Sequence, residues 1–245
     1  MKQLRLAMLG FGNAGRAFAR LLAEKRPEIM RSYGYDIKVV AIITKSRGSL
    51  CDDEGIDLEK AIKEIEASGH FDPGRKGYLM ISSIEAASAI NYDVLMELTP
   101  LNIFTGQPAI EHINIALDRG RHVITANKGP VAWAYEELRK KAEENRVCFL
   151  FETTVMDGTP IFNLAEEALP LCNVTEVKGI LNSTTNYILE ELAKGRKYDD
   201  IIAEGKKRGF VEADPSMDVE GWDAAAKMAV LLNVLMGAGI TPLDI

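Results

Sequence analysis

The sequence predicts an α/β protein: an open parallel sheet covered by helices on both faces, followed by a smaller mixed α/β unit. Three observations lead there. Over the first 150 or so residues, short apolar runs rich in branched side chains alternate with amphipathic, charged segments, the pattern of strand–helix–strand crossovers. The first apolar run ends in a glycine-rich turn that opens directly into a helical pattern. Beyond Glu152 the rhythm changes to helices separated by Gly- and Pro-containing turns. At 245 residues, 47% of them apolar, the chain can bury a sizeable core as one large domain or two ordinary ones.

The elements follow in order. Leu4 to Leu9 is an apolar run closed by Gly10, and Arg16 to Lys25 has the spacing of an amphipathic helix. Ile37 to Ile43 is a second strand pattern, Asp57 to Ala67 a charged helix, Tyr78 to Ile81 a short strand and Val94 to Leu98 another. Pro108 to Arg119 reads as helix, His122 to Thr125 as strand, Tyr135 to Asn145 as helix and Val147 to Phe151 as a buried strand. Strands that alternate with helices imply right-handed crossovers and a parallel sheet. After a turn at Asp157 to Pro160, a helix reaches Ala168, a strand is expected at Val174 to Leu181, and helices at Thr185 to Ala193 and Tyr198 to Arg208. The most helix-like segment runs from Gly221 to Met236. The division between the two units is placed at residues 128 and 129.

Composition narrows the function classes. With Lys+Arg 29 against Asp+Glu 36 the formal charge is −7, which argues against nucleic acid as a partner, since phosphate binding needs a cationic surface. No stretch approaches the roughly 20 uninterrupted apolar residues of a membrane span, and the first residues resemble neither a secretory leader nor an anchor. Cys51, Cys148 and Cys172 form no CxxC pair, which points to a reducing, cytoplasmic setting; Cys148 and Cys172 are expected to be buried small hydrophobes.

Gly10-Phe11-Gly12-Asn13-Ala14-Gly15 matches G-x-G-x-x-G and sits where the mechanism requires, after a strand and before a helix. Gly10 permits the tight turn, Gly12 lets a pyrophosphate approach the backbone, and Gly15 allows close helix–strand packing. The diphosphate would rest on N–H groups at the helix N-terminus, whose dipole favours an anion. This makes the first unit a Rossmann-like dinucleotide-binding domain. Selectivity for NAD usually depends on an acid at the end of the second strand; here stand Thr44-Lys45-Ser46-Arg47, which suit the 2′-phosphate of NADP. NADP is therefore preferred, with NAD the alternative. Asp52, Asp53 and Glu54 lie close enough downstream to pair with some of these cations.

Lys128 follows the last clear strand of the first unit, at the sheet edge where open α/β folds bind ligands. Its position alone does not separate a turn lysine from one that exchanges a proton with substrate. A second constellation runs Glu212-Ala-Asp214-Pro215-Ser-Met-Asp218-Val-Glu220-Gly221-Trp222-Asp223-Ala-Ala-Ala-Lys227. On a helix Asp223 and Lys227 share one face, and the bland reading is an exposed ion pair worth a few tenths of a kcal/mol. The segment is apolar nearly all round, so burial is expected, and a buried acid–lysine pair is costly unless it has a task.

Four segments together resemble the homoserine dehydrogenase family: Gly10 to Arg16, Thr125-Ala-Asn-Lys128-Gly-Pro, Gly179-Ile-Leu-Asn182-Ser-Thr184-Thr-Asn-Tyr-Ile-Leu, and Glu212 to Lys227. The resemblance implies reversible NAD(P)-dependent interconversion of homoserine and aspartate 4-semialdehyde, on the route to threonine and methionine. It implies Lys227 as the catalytic lysine and Lys128 as a second one. It also implies Asp223 and Glu212 as acids holding the substrate, and Asn182, Ser183 and Thr184 as the substrate turn. Thr99-Pro100 would meet the nicotinamide. A homodimer through the second unit is implied, as is a monovalent cation such as sodium on backbone carbonyls of Val155, Asp157 and Thr159.

Three departures from the family pattern stand out. Met156 and Asp157 replace a glycine-rich turn, Ser183 stands where glycine is common, and relatives continue past Thr241 to Ile245, so the second unit is expected to end early. The alternatives carried beside the leading reading are a paralogous dehydrogenase of another small hydroxy or amino acid, and a catalytically dead NADP(H)-binding protein. His70, His112 and His122 are too scattered for a metal trio, and Trp133 and Trp222 are expected to pack.

Overall fold

Eight residues of alternating orientation open the chain as β1 (Lys2–Leu9), and its buried carboxyl half decides where both layers of the core form. Leu6 and Met8 point to one face of the sheet and Ala7 and Leu9 to the other, and each set nucleates its own cluster. The computed structural model describes residues 1–211 and 214–245. After β1 come α1 (Asn13–Tyr33), β2 (Tyr35–Ile43), β3 (Ser49–Cys51), α2 (Leu58–Ser68), β4 (Tyr78–Leu79), α3 (Ser83–Ala89) and β5 (Val94–Glu97). Then follow α4 (Ala109–Asp118), β6 (His122–Thr125), α5 (Lys128–Glu144), β7 (Phe149–Leu150) and α6 (Thr153–Met156). The helices that follow are α7 (Ile161–Asn163), which runs on as a π-helical turn to Ala168, α8 (Ser183–Ala193), α9 (Tyr198–Arg208), α10 (Ser216–Val219) and α11 (Trp222–Met236).

The described strands form a seven-stranded sheet in the order β4-β3-β2-β1-β5-β6-β7. From β2 to β7 the neighbours are parallel, and the short β3 and β4 extend the β2 edge antiparallel. The chain winds outward from β1 to β2, then returns to the other side of β1 as β5. That reversal leaves a crevice beyond the carboxyl ends of β1 and β5, the usual ligand position in open α/β sheets. One face buries Val40, Ile43, Tyr92, Leu95, Ile113, Leu117 and Leu138, the other Leu22, Ile42, Ile62, Phe71 and Met96. Each fully buried side chain of this kind contributes roughly 1.5–3 kcal/mol.

A third cluster joins the sheet unit to the helices after it: Val131, Ala132 and Tyr135 of α5 pack against Ala226, Ala229, Val230 and Leu231 of α11, with Phe151 and Phe162 alongside. Phe151 sits edge-on to Tyr135, ring centroids 5.6 Å apart. This packing positions the functional site, because it lays the first turns of α5 and α11 side by side.

Several sequence expectations need correction. No strand forms at Val174 to Leu181: the segment is irregular, and Ile180 is 73% exposed. A strand exists only by pairing, and among the described residues none lies beside it. Cys148 and Cys172 are exposed and Cys51 half-buried, so the first two are not core residues. The segment from Trp222 to Met236 buries one side, Ala226, Ala229, Val230, Leu231 and Asn233, and is not buried all round. The first helix runs on through Pro27 to Tyr33, where Gly34 closes it in the left-handed conformation at φ 71°. A proline within a helix costs one hydrogen bond, and here it does not end the helix. β7 belongs to the sheet although it lies past residue 128. β3 and α3 went unread, being too short to show a periodicity.

Candidate active site

The glycine-rich turn is shaped by contacts at two of its three glycines. Gly10 adopts φ +100°, and a Cβ there would lie 2.3 Å from the Leu98 carbonyl oxygen. The turn after β1 is thus pressed against the segment leaving β5, and Leu98 N donates to the Leu9 carbonyl at 2.8 Å. A Cβ on Gly15 would meet the Gly10 oxygen at 3.0 Å and the Met8 side chain at 3.4 Å, so glycine allows α1 to approach the strand. Gly12 has open space on its Cα, as a site for an approaching ligand requires. No side chain caps α1 and no acid stands in its first turn. Asn13 and Ala14 begin the helix, and Asn13 accepts a hydrogen bond from Arg16 at 2.8 Å.

A cleft of about 770 Å³ opens over this turn. Its wall carries Gly10 and Gly12, Thr44 to Arg47, and Thr99 and Pro100. The cationic loop keeps its shape through Thr44, whose hydroxyl donates to the Gly48 carbonyl at 2.6 Å and accepts from Arg47 N at 2.9 Å. Lys45 and Ser46 are exposed and Arg47 half-exposed, and Lys45 and Arg47 make no salt bridge among the described residues. Among the described residues Asp52, Asp53 and Glu54 do not pair with these cations; Glu54 pairs with Lys38 at 3.6 Å.

The second group of residues gathers where α5 and α11 begin. Asn127 caps α5 by accepting from Gly129 N at 3.0 Å, which puts Lys128 at the first helical position. Asp223 and Lys227 occupy adjacent turns of α11 on one face. Lys128 forms an ion pair with one oxygen of Asp223, and Lys227 pairs with the other at 2.8 Å. Lys227 also donates to the Leu181 carbonyl at 2.8 Å. Asn182 closes the group: its amide donates to Asp223 at 2.9 Å and to Asp218 at 2.7 Å, while its oxygen caps α8 through Thr185 N at 2.8 Å.

All of these side chains are largely but not wholly covered: Lys128 is 16% exposed, Asp223 15% and Lys227 20%. Burial pushes the Asp223 carboxyl up, but the hydrogen bonds from Lys128, Lys227 and Asn182 outweigh it. The result falls from 3.8 to about 2. Asp223 is therefore ionised at neutral pH.

The fold thus brings Lys128, Asn182, Asp223 and Lys227 into one cluster. Ser183 and Thr184 follow Asn182 in the first turn of α8, the first exposed and the second buried, and neither hydrogen-bonds to the cluster among the described residues. Glu212 lies outside the described residues. Asp218 went unassigned from sequence although it stood inside the acid-rich motif; only its bond to Asn182 singles it out. In the turn after α6, Asp157 takes φ 49°, ψ −115°, and the Thr159 carbonyl already accepts from Ile161 N at 2.9 Å. That bond uses one of the two lone pairs of the Thr159 oxygen.

Comparison with known proteins decides the family. The model of the homoserine dehydrogenase NAD-binding domain matches residues 10–152, and that of homoserine dehydrogenase matches residues 160–245. The chain belongs to the homoserine dehydrogenase family. By that membership it is an NAD(P)-dependent oxidoreductase. A homoserine dehydrogenase of Methanocaldococcus jannaschii is 39% identical over 98% of this chain and 71% of its own length. An NAD(+)-dependent homoserine dehydrogenase of Pseudomonas canavaninivorans is 34% identical over 100% of this chain and 70% of its own length. A hyperthermophilic archaeal homoserine dehydrogenase mutant, solved in complex with NADPH, superposes with a TM-score of 0.82 at 33% identity, covering 96% of this chain and 70% of that one. Among the described residues, no helix is long and apolar enough to cross a membrane.

Proposed function

We propose that this chain interconverts homoserine and aspartate 4-semialdehyde with NADP(H), with Lys227 as proton donor and acceptor at the reacting oxygen. The observation that carries the reading is the convergence of Lys128, Asp223 and Lys227 beside the cleft that holds the glycine-rich turn. Asn127, the neighbour of Lys128, donates through Nδ2 to the carbonyl of the cleft-lining Thr99 at 3.3 Å, so one hydrogen bond links the turn that carries Lys128 to the cleft wall.

When bound at the Thr99–Pro100 loop, nicotinamide would supply hydride transfer to and from the substrate carbon. The protein supplies charge, orientation and protons. Homoserine carries an ammonium, and Asp223 with Asp218, joined through Asn182, offers it two carboxylates; Glu212 is assigned to the same end. An ammonium at Lys227 has three protons. Two are directed at Asp223 and the Leu181 carbonyl, which leaves the third for the aldehyde oxygen in the reducing direction. Lys128 holds Asp223 from the opposite side and steadies the developing negative charge near the cofactor. Ser183 and Thr184 line the substrate end through the start of α8.

Gly10, Gly12, Asn13, Ala14 and Gly15 receive the pyrophosphate, Thr99 and Pro100 the nicotinamide, and Lys45, Ser46 and Arg47 the 2′-phosphate. The basic loop and its lack of an acid at the end of β2 favour NADP over NAD. The functional division falls at Lys128, since residues before it line the cleft and those after it supply the substrate groups, although β7 remains part of the sheet. No catalytic step is assigned to a cation at the 155–159 turn. A homodimer through the second unit is supported by exposed apolar residues there, among them Leu164, Leu171, Ile180 and Leu189. The reducing setting inferred from the cysteines favours the cytoplasm.

The test is absorbance at the reduced-nicotinamide band with homoserine and either NADP⁺ or NAD⁺. Turnover with a preference for NADP⁺ is expected. Cofactor binding without turnover of homoserine, but with turnover of another hydroxy amino acid, would assign the chain to a different substrate.

A further inference from the structure

Glu97 ends β5 with no solvent exposure at all, an expensive place for a carboxylate unless its oxygens are fully used. Each has a donor. One oxygen accepts from Thr99 N at 3.0 Å and from the Thr99 hydroxyl; the other lies 3.2 Å from the Thr125 hydroxyl, at the end of the neighbouring strand β6, which shares its one proton between that oxygen and the Glu97 backbone carbonyl, also at 3.2 Å. The same Thr125 oxygen accepts from Asn127 N at 3.0 Å, and Asn127 in turn bonds the Thr99 carbonyl and caps α5 at Lys128. A closed ring of hydrogen bonds therefore joins the Thr99–Pro100 loop to the turn that carries Lys128, with Glu97 beneath it.

Behind Glu97 lies His112, also fully buried, with Nδ1 3.7 Å from the carboxylate and Nε2 2.8 Å from the Ser83 hydroxyl at the cleft wall. A proton on Nδ1 faces the carboxylate favourably, whereas a lone pair there would be repelled. The imidazole thus lies between the Ser83 hydroxyl and the carboxylate, and covers the latter on that side.

We propose that Glu97 is a positioning residue: it locks the nicotinamide loop and the Lys128 turn into one relative geometry. This rests on the cofactor-cleft reading above. A purely structural role would be served as well by an apolar residue at this strand end, and replacing the acid would then leave the rate unchanged. Fixing two loops from different strands matters because a misplacement of about 1 Å between reacting groups can cost on the order of 100-fold in rate.

The test compares Glu97→Leu, which keeps bulk but removes every acceptor, with Glu97→Gln, which keeps one oxygen for Thr99. Turnover of homoserine at saturating NADP⁺ is measured together with NADPH affinity and hydrogen–deuterium exchange over residues 98–101 and 126–130. In Glu97→Leu, kcat should fall roughly 10- to 100-fold with the NADPH Kd changed less than about threefold, and both peptides should exchange faster. Glu97→Gln should recover most of the rate and protection. Retention of kcat within twofold in folded Glu97→Leu, or unchanged exchange in both peptides, overturns the proposal. If Glu97→Leu does not fold, Thr125→Val against Thr125→Ser decides by the same readouts, since only the second keeps the hydroxyl tie. Lack of NADPH binding by the unaltered protein would sink the cofactor reading instead, while the exchange comparison still judges whether Glu97 ties the two loops.

Discussion

Lys128 and Asp223 stand 95 residues apart in the chain and meet in one ion pair where α5 and α11 begin. Lys227 holds the second oxygen of the same carboxylate at 2.8 Å. Two lysines around one acid make that acid the pivot of the cluster and place two cations where an oxygen can gain negative character.

Replacing Lys227 with alanine should lower kcat for homoserine by roughly 10²- to 10⁴-fold, the usual contribution of a positioned proton donor. NADPH titration should give a Kd close to that of the unaltered protein, because no residue of the glycine-rich turn is touched. A parallel loss of cofactor binding would move Lys227 out of the proton-transfer role.

The Asp223 carboxyl sits at about 2 in the folded chain against an ordinary 3.8. A depressed value means the group binds fewer protons folded than unfolded, so it stabilises the protein above pH ~4 and loses that contribution as pH falls through about 2. The difference is worth roughly 2 kcal/mol. Urea denaturation across that range should show a steeper acid loss in the unaltered protein than in Asp223→Asn; equal slopes would contradict the assignment.

Lys45→Ala and Arg47→Ala should each weaken NADP⁺ by about tenfold, on the order of 1–2 kcal/mol for a charge-assisted hydrogen bond lost, and leave NAD⁺ within about twofold. The comparison of kcat/KM for the two cofactors reads this directly. Equal effects on both would mean that the loop meets something other than a 2′-phosphate.

Two glycines of the glycine-rich turn should respond differently to alanine. Gly10→Ala meets both a positive φ and the Leu98 carbonyl, so a stability loss of at least about 2 kcal/mol is expected. Gly12→Ala has open space and should leave Tm within about 2 °C while weakening NADPH at least tenfold, since the new methyl occupies the path of the pyrophosphate. Thermal melts paired with cofactor titration separate the two.

Asp157 carries φ 49° and ψ −115°, a conformation costly for any residue with a Cβ, on the order of 1–3 kcal/mol. Asp157→Gly relieves that strain and loses up to about 1 kcal/mol to the freer unfolded chain, so a net gain near 1 kcal/mol is expected. A lower Tm in Asp157→Gly would show that the carboxylate stabilises the turn in some other way.

Much of the first unit was legible because periodicity and punctuation agree there. The strands from Leu4, Ile37, Val94 and His122 follow from patterns long enough to show a period, as does the helix from Tyr198 to Arg208 in the second unit. The three-residue β3 was too short for one, and the Val174 to Leu181 run has strand-like residues with no partner to pair with. The site was legible as two separate motifs. Asp218 was hidden because nothing in an acid-rich run says which carboxylate an asparagine 36 residues earlier will reach. Glu97 was hidden because a single acid at a strand end carries no pattern.

By itself the sequence determined the layered α/β class, the glycine-rich turn at the first strand–helix junction and the residue types that the chemistry needs. Those depend on local periodicity and on φ, which each residue and its neighbours set. Only the tertiary structure decided that Lys128, Asn182 and Asp223, from three distant segments, share one site and that Glu97 ties two loops together. Helix packing through Val131, Tyr135, Ala229 and Val230 and strand pairing of Glu97 with Thr125 bring these groups into reach. The energy of such contacts depends on separations in space, which order along the chain does not encode.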